Sequence, residues 1–553
     1  MVQNRDAFET KYGLGKPIAG EFTGSLSDSG ETIKLLKRDG TKLLDVTYND
    51  SGAWPNRADG LGSSLEAITN TGNLDDPQHW RASTEVHGSP GVPGLGPLSS
   101  IVINEVLTHT DLPQVDSIEL FNPTNSTIDL SGWYLSDTNG DYKKFRIPNG
   151  TTLAPLSYLV FDESDFDTSG GTDPNDFRLD AAHGDNVWLV AADVSHNLTQ
   201  FIDHVDFGAA LNGESFGLWP RLDVISSVPR RFVPMSSRTL GAANSGPRLG
   251  QVVISEVMYH PAAQPNVNED DLEFVEIQNR SNASVTLTNW RLVGDIQFAF
   301  AAGTTIAANA RMVIVPFDPA DPLNADRVRL FRESYGLPQS AVLFGGLKGH
   351  LDDGGGSVRL LKPDEPPLGE PNFIPLILED GVEFDDVAPW PTTADGGGQS
   401  LTRVVGANWG FDPASWIGAT PSAGIAQASD MIVSRDASGN LLVEATVVGG
   451  AIDTLTIDFV AGTGNNFFTI RNTGRTIAAL NVPNSVQVNA NEVRVPLASV
   501  TGSRILVSLA GGDDVATIDL VGGLGNKTIE VFGGTGVDDV RLVGAASDRK
   551  SVV

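Results

Sequence analysis

The chain contains no cysteine, which excludes disulfides and thiolate metal sites. Histidine is scarce, at 8 residues, and these form no HExxH and no adjacent ligand pair, so the zinc-protease helix is absent. No apolar run approaches the roughly 20 residues of a membrane-spanning helix. The opening MVQNRDAFETKYG is polar and charged, unlike a signal peptide. Basic residues are few: 37 against 69 acidic ones, a net charge of −32. Such a field repels phosphate backbones and argues against nucleic acid as a partner. It suits cation-rich surroundings, and it equally suits a surface that only keeps the protein soluble.

What is present points to β structure. Apolar residues make up 40%, with 24 Phe and 9 Trp, enough for packed cores. Gly (60) and Pro (32) are both abundant and fall between short apolar runs, the punctuation of turn-rich β proteins. Long Ala/Leu/Glu/Lys stretches are missing, and methionine is only 5. A length of 553 residues predicts three to four domains at about 150 residues each.

The chain repeats itself. DVTYNDSGAWPNRADGL (45–61) matches GVEFDDVAPWPTTADGG (381–397). Upstream, FETKYGL at Phe8–Leu14 matches FRESYGL at Phe331–Leu337, and SLSDSGETIKLLKRDG from Ser25 matches HLDDGGGSVRLLKPDE from His350. A repeat of this kind governs the fold reading. The second copy has a front half, from roughly Leu249 to Asp326, that the first lacks, so the chain is expected to begin inside a domain.

Five blocks follow. Residues 1–94 are the back half of a repeat, truncated, and run into the linker GSPGVPGLGPLSS (Gly88–Ser100). Residues 100–247 and 249–426 are the full copies. Residues 428–547 share neither opening phrase. Residues 548–553, DRKSVV, follow a codon path that reads as a sequencing-adapter artefact, and they are set aside.

The full copies align closely. IVINEV (Ile101–Val106) matches VVISEV (Val252–Val257), and SIELFNPTNSTIDLSGWYLSD (Ser117–Asp137) matches FVEIQNRSNASVTLTNWRLVGD (Phe274–Asp295). IPNGTTLAPLSYLVFD (Ile147–Asp162) matches AAGTTIAANARMVIVPFD (Ala301–Asp318). Apolar positions alternate, with Ile118 and Leu120 on one side and Glu119 on the other. That period predicts half-buried strands, and Asn-Pro-Thr-Asn and Asn-Arg-Ser-Asn supply turns. Short strands at this spacing describe a two-sheet sandwich.

These phrases, with the closing LGAAN (Leu240–Asn244), resemble the lamin-tail domain over nearly all of residues 1–426. The resemblance implies immunoglobulin-like β-sandwiches: one half-copy and two full copies. The joined pattern resembles exported planctomycete-type bacterial proteins that also carry CotH-like kinase regions, and no such region is visible here.

Several candidates for chemistry carry two readings each. Trp54 and Trp390 either cap a core at a Pro-fixed corner or stack on a sugar. The middle copy lacks the WPxxADG phrase and has VDFGAALNGESFGLWPR (Val205–Arg221) instead. Within it, Gly213 to Gly217 matches GxSxG with Ser215 as nucleophile, but a nucleophile elbow needs a following helix, and the context is β. Glu269-Asp270-Asp271 reads as a solvated loop.

In the last block Gly-Gly recurs at 511, 522 and 533. Two eleven-residue units would form one coil of a β-solenoid. GGTGVDDVR (Gly533–Arg541) fits a calcium-binding nonapeptide, while GGLGNKTIE carries Lys527 where the motif has Asp. Asp513, Asp514, Asp538 and Asp539 are therefore calcium candidates, against the plain reading of Asp as a turn residue.

The sequence thus predicts an all-β protein of tandem immunoglobulin-like sandwiches with a β-rich, solenoid-like C-terminal region. It reads as a non-enzymatic, exported or cell-surface bacterial protein. Its modules would bind a protein or polysaccharide at the cell surface, or act as spacers, without transmembrane segment or cofactor other than calcium. The alternative is an accessory fragment of a larger secreted enzyme whose catalytic part lies elsewhere.

Overall fold

Alternation of apolar and polar residues does produce paired strands, and strand far outweighs helix. The computed structural model describes all residues except 70–71, 99, 223–228, 266, 338–341, 405–408, 425–430, 437, 446–453, 461–466, 473–476, 481, 483–484, 490–491, 510–513, 520–526, 533–538, 544–549 and 553. The chain divides into two compact units, Met1–Arg248 with Asp364–Pro375, and Leu249–Pro363 with Leu376–Val553.

In the first unit a five-stranded sheet runs in the order Tyr158–Asp162, Ser117–Phe121, Val102–Leu107, Ser215–Trp219, Arg231–Pro234. A four-stranded sheet runs Leu198–Phe207, Asp185–Ala192, Tyr134–Ser136, Phe145–Arg146. Ile103, Val106, Ile118, Leu120, Leu135, Val187 and Leu189 form the core between them, all fully or almost fully buried. The second unit repeats the plan. Phe274–Asn279, Val252–Met258 and Ser400–Arg403 are neighbours in one sheet, and Arg291–Gly294, Gly355–Pro363 and Leu376–Asp385 are neighbours in the other.

Both opening strands carry a bulge at the same place. The register slips between Ile103 and Glu105, and again between Ile254 and Glu256. A bulge leaves one residue unpaired and re-aims its neighbours. The extra residues are Asn104 and Ser255.

The segment before the first sandwich contains an α-helix, Arg5–Tyr12, and a hairpin, Glu31–Leu36 with Lys42–Tyr48. Asn4 caps the helix by accepting from the Ala7 N–H at 2.9 Å, and Gly13 ends it at φ 85°. The matching phrase around Phe331 is also helical, over Ala325–Ser334. The phrase places Phe and Tyr four apart, on one helical face: the rings of Phe8 and Tyr12 lie 4.8 Å apart, those of Phe331 and Tyr335 4.9 Å. Sequence alternation gave no sign of these helices.

On the hairpin, Ile33 and Leu35 remain 41% and 45% exposed, while Val46 is buried. The matching Val358 and Leu360 of the second unit are fully buried. Further along, the chain adds itself to the edge of Leu198–Phe207. The Phe201 N–H donates to the Thr84 carbonyl at 2.8 Å, and the Val86 N–H to the Thr199 carbonyl at 3.0 Å. Leu61, Val86 and Tyr142 cover Trp188 and Phe201 there.

The last block is two six-stranded sheets enclosing Met431, Val443, Ile457, Phe468, Val493, Val507 and Ile518. Its early strands are mixed, with Met431–Arg435 antiparallel to Leu441–Ala445. The later ones stack in parallel and alternate between sheets. Arg504 stands opposite Thr528 in one sheet, and Val515 opposite Asp539 in the other. Lys550–Val552 pairs parallel to Thr528–Phe532.

Candidate functional site

The bulges organise a buried polar clasp in each sandwich. In the first, Glu105 accepts from the Ser215 hydroxyl at 2.6 Å, the Thr239 N–H at 2.8 Å and the Thr239 hydroxyl at 2.5 Å. Glu119 accepts from Asn104 Nδ2 at 2.7 Å and from the Gly241 N–H. Asn104 also donates to Asn244 Oδ1 at 2.8 Å. In the second, Glu256 accepts from the Ser400 hydroxyl at 2.5 Å, the Ser422 N–H at 2.9 Å and the Ser422 hydroxyl at 2.7 Å. Glu276 accepts from the Ser255 hydroxyl at 2.5 Å, from Arg311, and from the Gly424 N–H at 2.7 Å. Two strand carboxylates thus hold the closing segment, Thr239-Leu240-Gly241 in one copy and Ser422-Ala423-Gly424 in the other.

Burial governs their charge. It pushes the Glu119 carboxyl up to about 7, against the opposing bonds from Gly241 and Asn104. Burial, and then the neighbouring Glu276, push Glu256 up to about 7. The bulge also frees a backbone donor: the Ile103 N–H reaches Asp203 at 2.7 Å, and the Ile254 N–H reaches Asp380 at 2.8 Å.

The accessible chemistry lies at one end of the second sandwich. His260 follows Val252–Met258. Its Nδ1 lies 2.5 Å from Asp395 Oδ1, and its Nε2 lies 3.5 Å from Glu269 Oε1 and 3.9 Å from Asp353 Oδ2. Asp395 is the aspartate of WPTTADG, so the phrase that reads as a turn also positions a histidine. Glu269 belongs to a 3-10 turn, Glu269–Leu272. Its neighbour Asp271 pairs with Arg327, so Glu269-Asp270-Asp271 is not the simple solvated loop that charge patterning suggested. Glu273 is buried nearby, accepts from the Leu351 N–H at 2.9 Å, and is pushed up to about 8 by burial. Among the described residues, no group of three or more His, Asp or Glu side chains is arranged so that it could hold a metal ion.

Residues 97–208 and 246–365 each match the Lamin Tail Domain family. The chain carries two lamin-tail domains. No curated protein matches the chain. One solved structure, a DUF4876 family protein from Bacteroides thetaiotaomicron VPI-5482, is 10% identical and covers 60% of this chain and 96% of its own, with a TM-score of 0.21. At that score the likeness carries no argument.

In the first lamin-tail domain the aligned histidine, His109, places Nδ1 2.7 Å from the Ala210 carbonyl. Ser215 is buried, with its hydroxyl committed to Glu105, so the GxSxG match is part of the clasp. Trp390 is buried in the second domain's core, as a corner cap would be. Trp54 is half-buried, 6.1 Å from Trp80.

Of the calcium candidates, Asp513 and Asp538 lie outside the described residues. Asp514 is buried, and its carbonyl accepts from the Asp539 N–H at 2.8 Å, so the parallel rungs do bring these two together. The Asp539 carboxylate takes Arg541 Nε at 2.9 Å. Lys527 donates to the Val500 carbonyl at 2.5 Å and to the Gly502 carbonyl at 2.8 Å. An ammonium thus serves converging carbonyls at the unit that departs from the calcium motif.

Sequence reasoning missed His260, Asp353 and Asp395 as a group because they lie far apart in the chain. The clasp carboxylates did leave a signal: the duplicated phrases INEV/ISEV and IEL/VEI keep a Glu at corresponding positions.

Proposed function

We propose that the lamin-tail sandwiches are non-catalytic binding or spacing modules of an exported or cell-surface bacterial protein, engaging a protein or polysaccharide ligand. The observation that carries this is strand addition within the chain. Thr84–Val86 lies along the edge of Leu198–Phe207 through two backbone hydrogen bonds, Phe201 N–H to Thr84 and Val86 N–H to Thr199. Backbone pairing at a sheet edge is a general mode of capturing an extended partner. The commitment of Ser215 to Glu105 supports a module that does no chemistry. No helix among the described residues is long and apolar enough to cross a membrane.

The test combines a substrate screen with retention on immobilised bacterial envelope proteins and polysaccharides. Retention without hydrolase, nuclease or kinase turnover is the expected result. Turnover that is lost in Ser215→Ala would overturn the reading.

A further inference from the structure

We propose that residues 1–94 form a docking groove for a pair of extended strands donated by a segment outside residues 1–553. The donor is of the kind that Val252–Met258 and Phe274–Asn279 make in the second lamin-tail domain. This does not rest on the module reading, which concerns the sandwiches and the edge at Leu198–Phe207.

The chain itself shows what covers such a surface. The repeat sets Phe8, Tyr12, Leu14, Leu26 and Leu65 against Phe331, Tyr335, Leu337, Leu351 and Leu401. In the second domain the Phe274 ring lies edge-on to Phe331 and Tyr335, with centroids 6.0 and 5.3 Å apart. Leu337 belongs to the same apolar cluster as Phe274 and Met258. Val257 stands opposite Leu401 in the sheet. The Tyr335 hydroxyl donates to the Leu272 carbonyl at 2.6 Å, and the Leu351 N–H to Glu273 at 2.9 Å. One strand pair therefore covers the helix, the Leu351 turn and the edge of Ser400–Arg403.

In residues 1–94 the matching side chains line a groove of about 540 Å³, shared by Phe8, Tyr12, Leu26 and Leu65. Leu26 is 54% exposed where Leu351 is 1%, and Leu14 is 84% exposed where Leu337 is 7%. Phe8 and Leu65 are only half-buried, whereas Phe331 and Leu401 are fully buried. The backbone edge is open as well. Among the described residues, Leu65–Ala67 pairs only with Trp80–Ala82, while Ser400–Arg403 pairs with Val252–Met258 in addition to Trp416–Ala419. Two strands alone are marginal in water. An unpaired edge beside an apolar face is a template for another strand, and strand addition with side chains seated in pockets is how such a template takes a partner. The corresponding strands of both full copies are engaged in their own sheets, so neither is the donor.

The second domain also fixes the donor's chemistry. Its strands alternate apolar residues, as in Val252–Met258, and an acidic residue precedes the aromatic, as Glu273 precedes Phe274. By the repeat, that carboxylate would meet the backbone at Leu26 and the aromatic would meet Phe8 and Tyr12.

The full chain is titrated with a fluorescent synthetic peptide of residues 251–280, which carries both strands, and with a scrambled peptide of the same composition. Saturable binding of the first peptide alone is expected, with slower proteolysis of residues 1–94. Leu14→Asp combined with Leu26→Asp, both on exposed side chains that the fold does not need, should weaken binding about tenfold or more. Phe274→Asp in the peptide should do the same. Val194→Asp, on a fully exposed side chain of the first lamin-tail domain, should change nothing. The proposal is overturned if the peptide does not bind, if the scrambled peptide binds equally, or if the double variant binds as wild type does. Protection of 249–426 without protection of 1–94 would also overturn it. So would a stable dimer of the full chain that the double variant disperses and the peptide does not, which would give the groove to a second copy.

Discussion

The backbone N–H of Ile254 donates to the Asp380 carboxylate at 2.8 Å, across the two sheets of the second lamin-tail domain. The donor is available because the strand bulges at Ser255. Asp380 also pairs with Arg403, whose guanidinium donates to the Ile254 carbonyl at 3.1 Å. All three groups are buried. Asp380→Ala would leave a buried cation without this carboxylate, and removing one partner of such a pair costs about 3–5 kcal/mol. Hydrogen exchange should show early opening of 249–426, with 100–247 unchanged. Equal protection in wild type and variant would refute the assignment.

The clasp carboxyls make stability depend on pH with a definite sign. Glu119 and Glu256 sit at about 7 in the folded chain, against 4.5 for an ordinary glutamate, and Asp203 sits at about 6. Between about 4.5 and 7 the folded chain therefore binds more protons than the unfolded chain. Unfolding free energy must fall as pH rises through that window, by at most about 1.4 kcal/mol per unit for each carboxyl. Denaturant midpoints should be higher at pH 5.5 than at pH 8. Glu119→Gln combined with Glu256→Gln should flatten that slope; an unaltered slope would place its origin elsewhere.

Trp390→Ala should open a cavity in the second domain's core and cost about 3–5 kcal/mol. Trp54→Ala should cost less, because Trp54 is only half-buried. Domain-resolved melting distinguishes the two. A near-neutral Trp390→Ala would return that ring to a ligand-stacking role.

The C-terminal block offers a paired experiment. Lys527→Met removes the donor shared by the Val500 and Gly502 carbonyls and should lower the stability of 428–547 by about 1 kcal/mol. In the wild-type chain, calcium at the Asp513, Asp514, Asp538 and Asp539 turns should raise the melting of this block. An ion at a hundredfold excess over its dissociation constant contributes about 2.7 kcal/mol. A melting profile identical in millimolar calcium and in chelator would leave the four as turn residues.

The hairpin Glu31–Leu36 with Lys42–Tyr48 leaves Ile33 and Leu35 exposed. Limited proteolysis should cut within residues 1–94 before either full lamin-tail domain, because opening is easiest where few apolar side chains are buried. Simultaneous cutting of all three would contradict this.

Alternation at Ile118-Glu119-Leu120 and at Val275-Glu276-Ile277, together with the duplicated phrases around them, was enough to read β-sandwiches and their family from the sequence. A strand's two faces are written in neighbouring residues, so local pattern carries that information. The same reasoning placed a packed Trp at the second Trp-Pro corner. It could not see that Glu119 and Glu276 point into a clasp, since an outward-facing Glu and a buried, bonded Glu alternate identically. That distinction depends on Gly241 and Gly424 arriving from more than a hundred residues away. Nor could it assign His260 a carboxylate while leaving His109 with a carbonyl, because Asp395 and Ala210 reach those rings only when the sheets close. Period and composition set the strands. Only tertiary structure decided which polar side chains became buried fasteners and which gathered at an accessible end, because desolvation and hydrogen bonding act on neighbours in space.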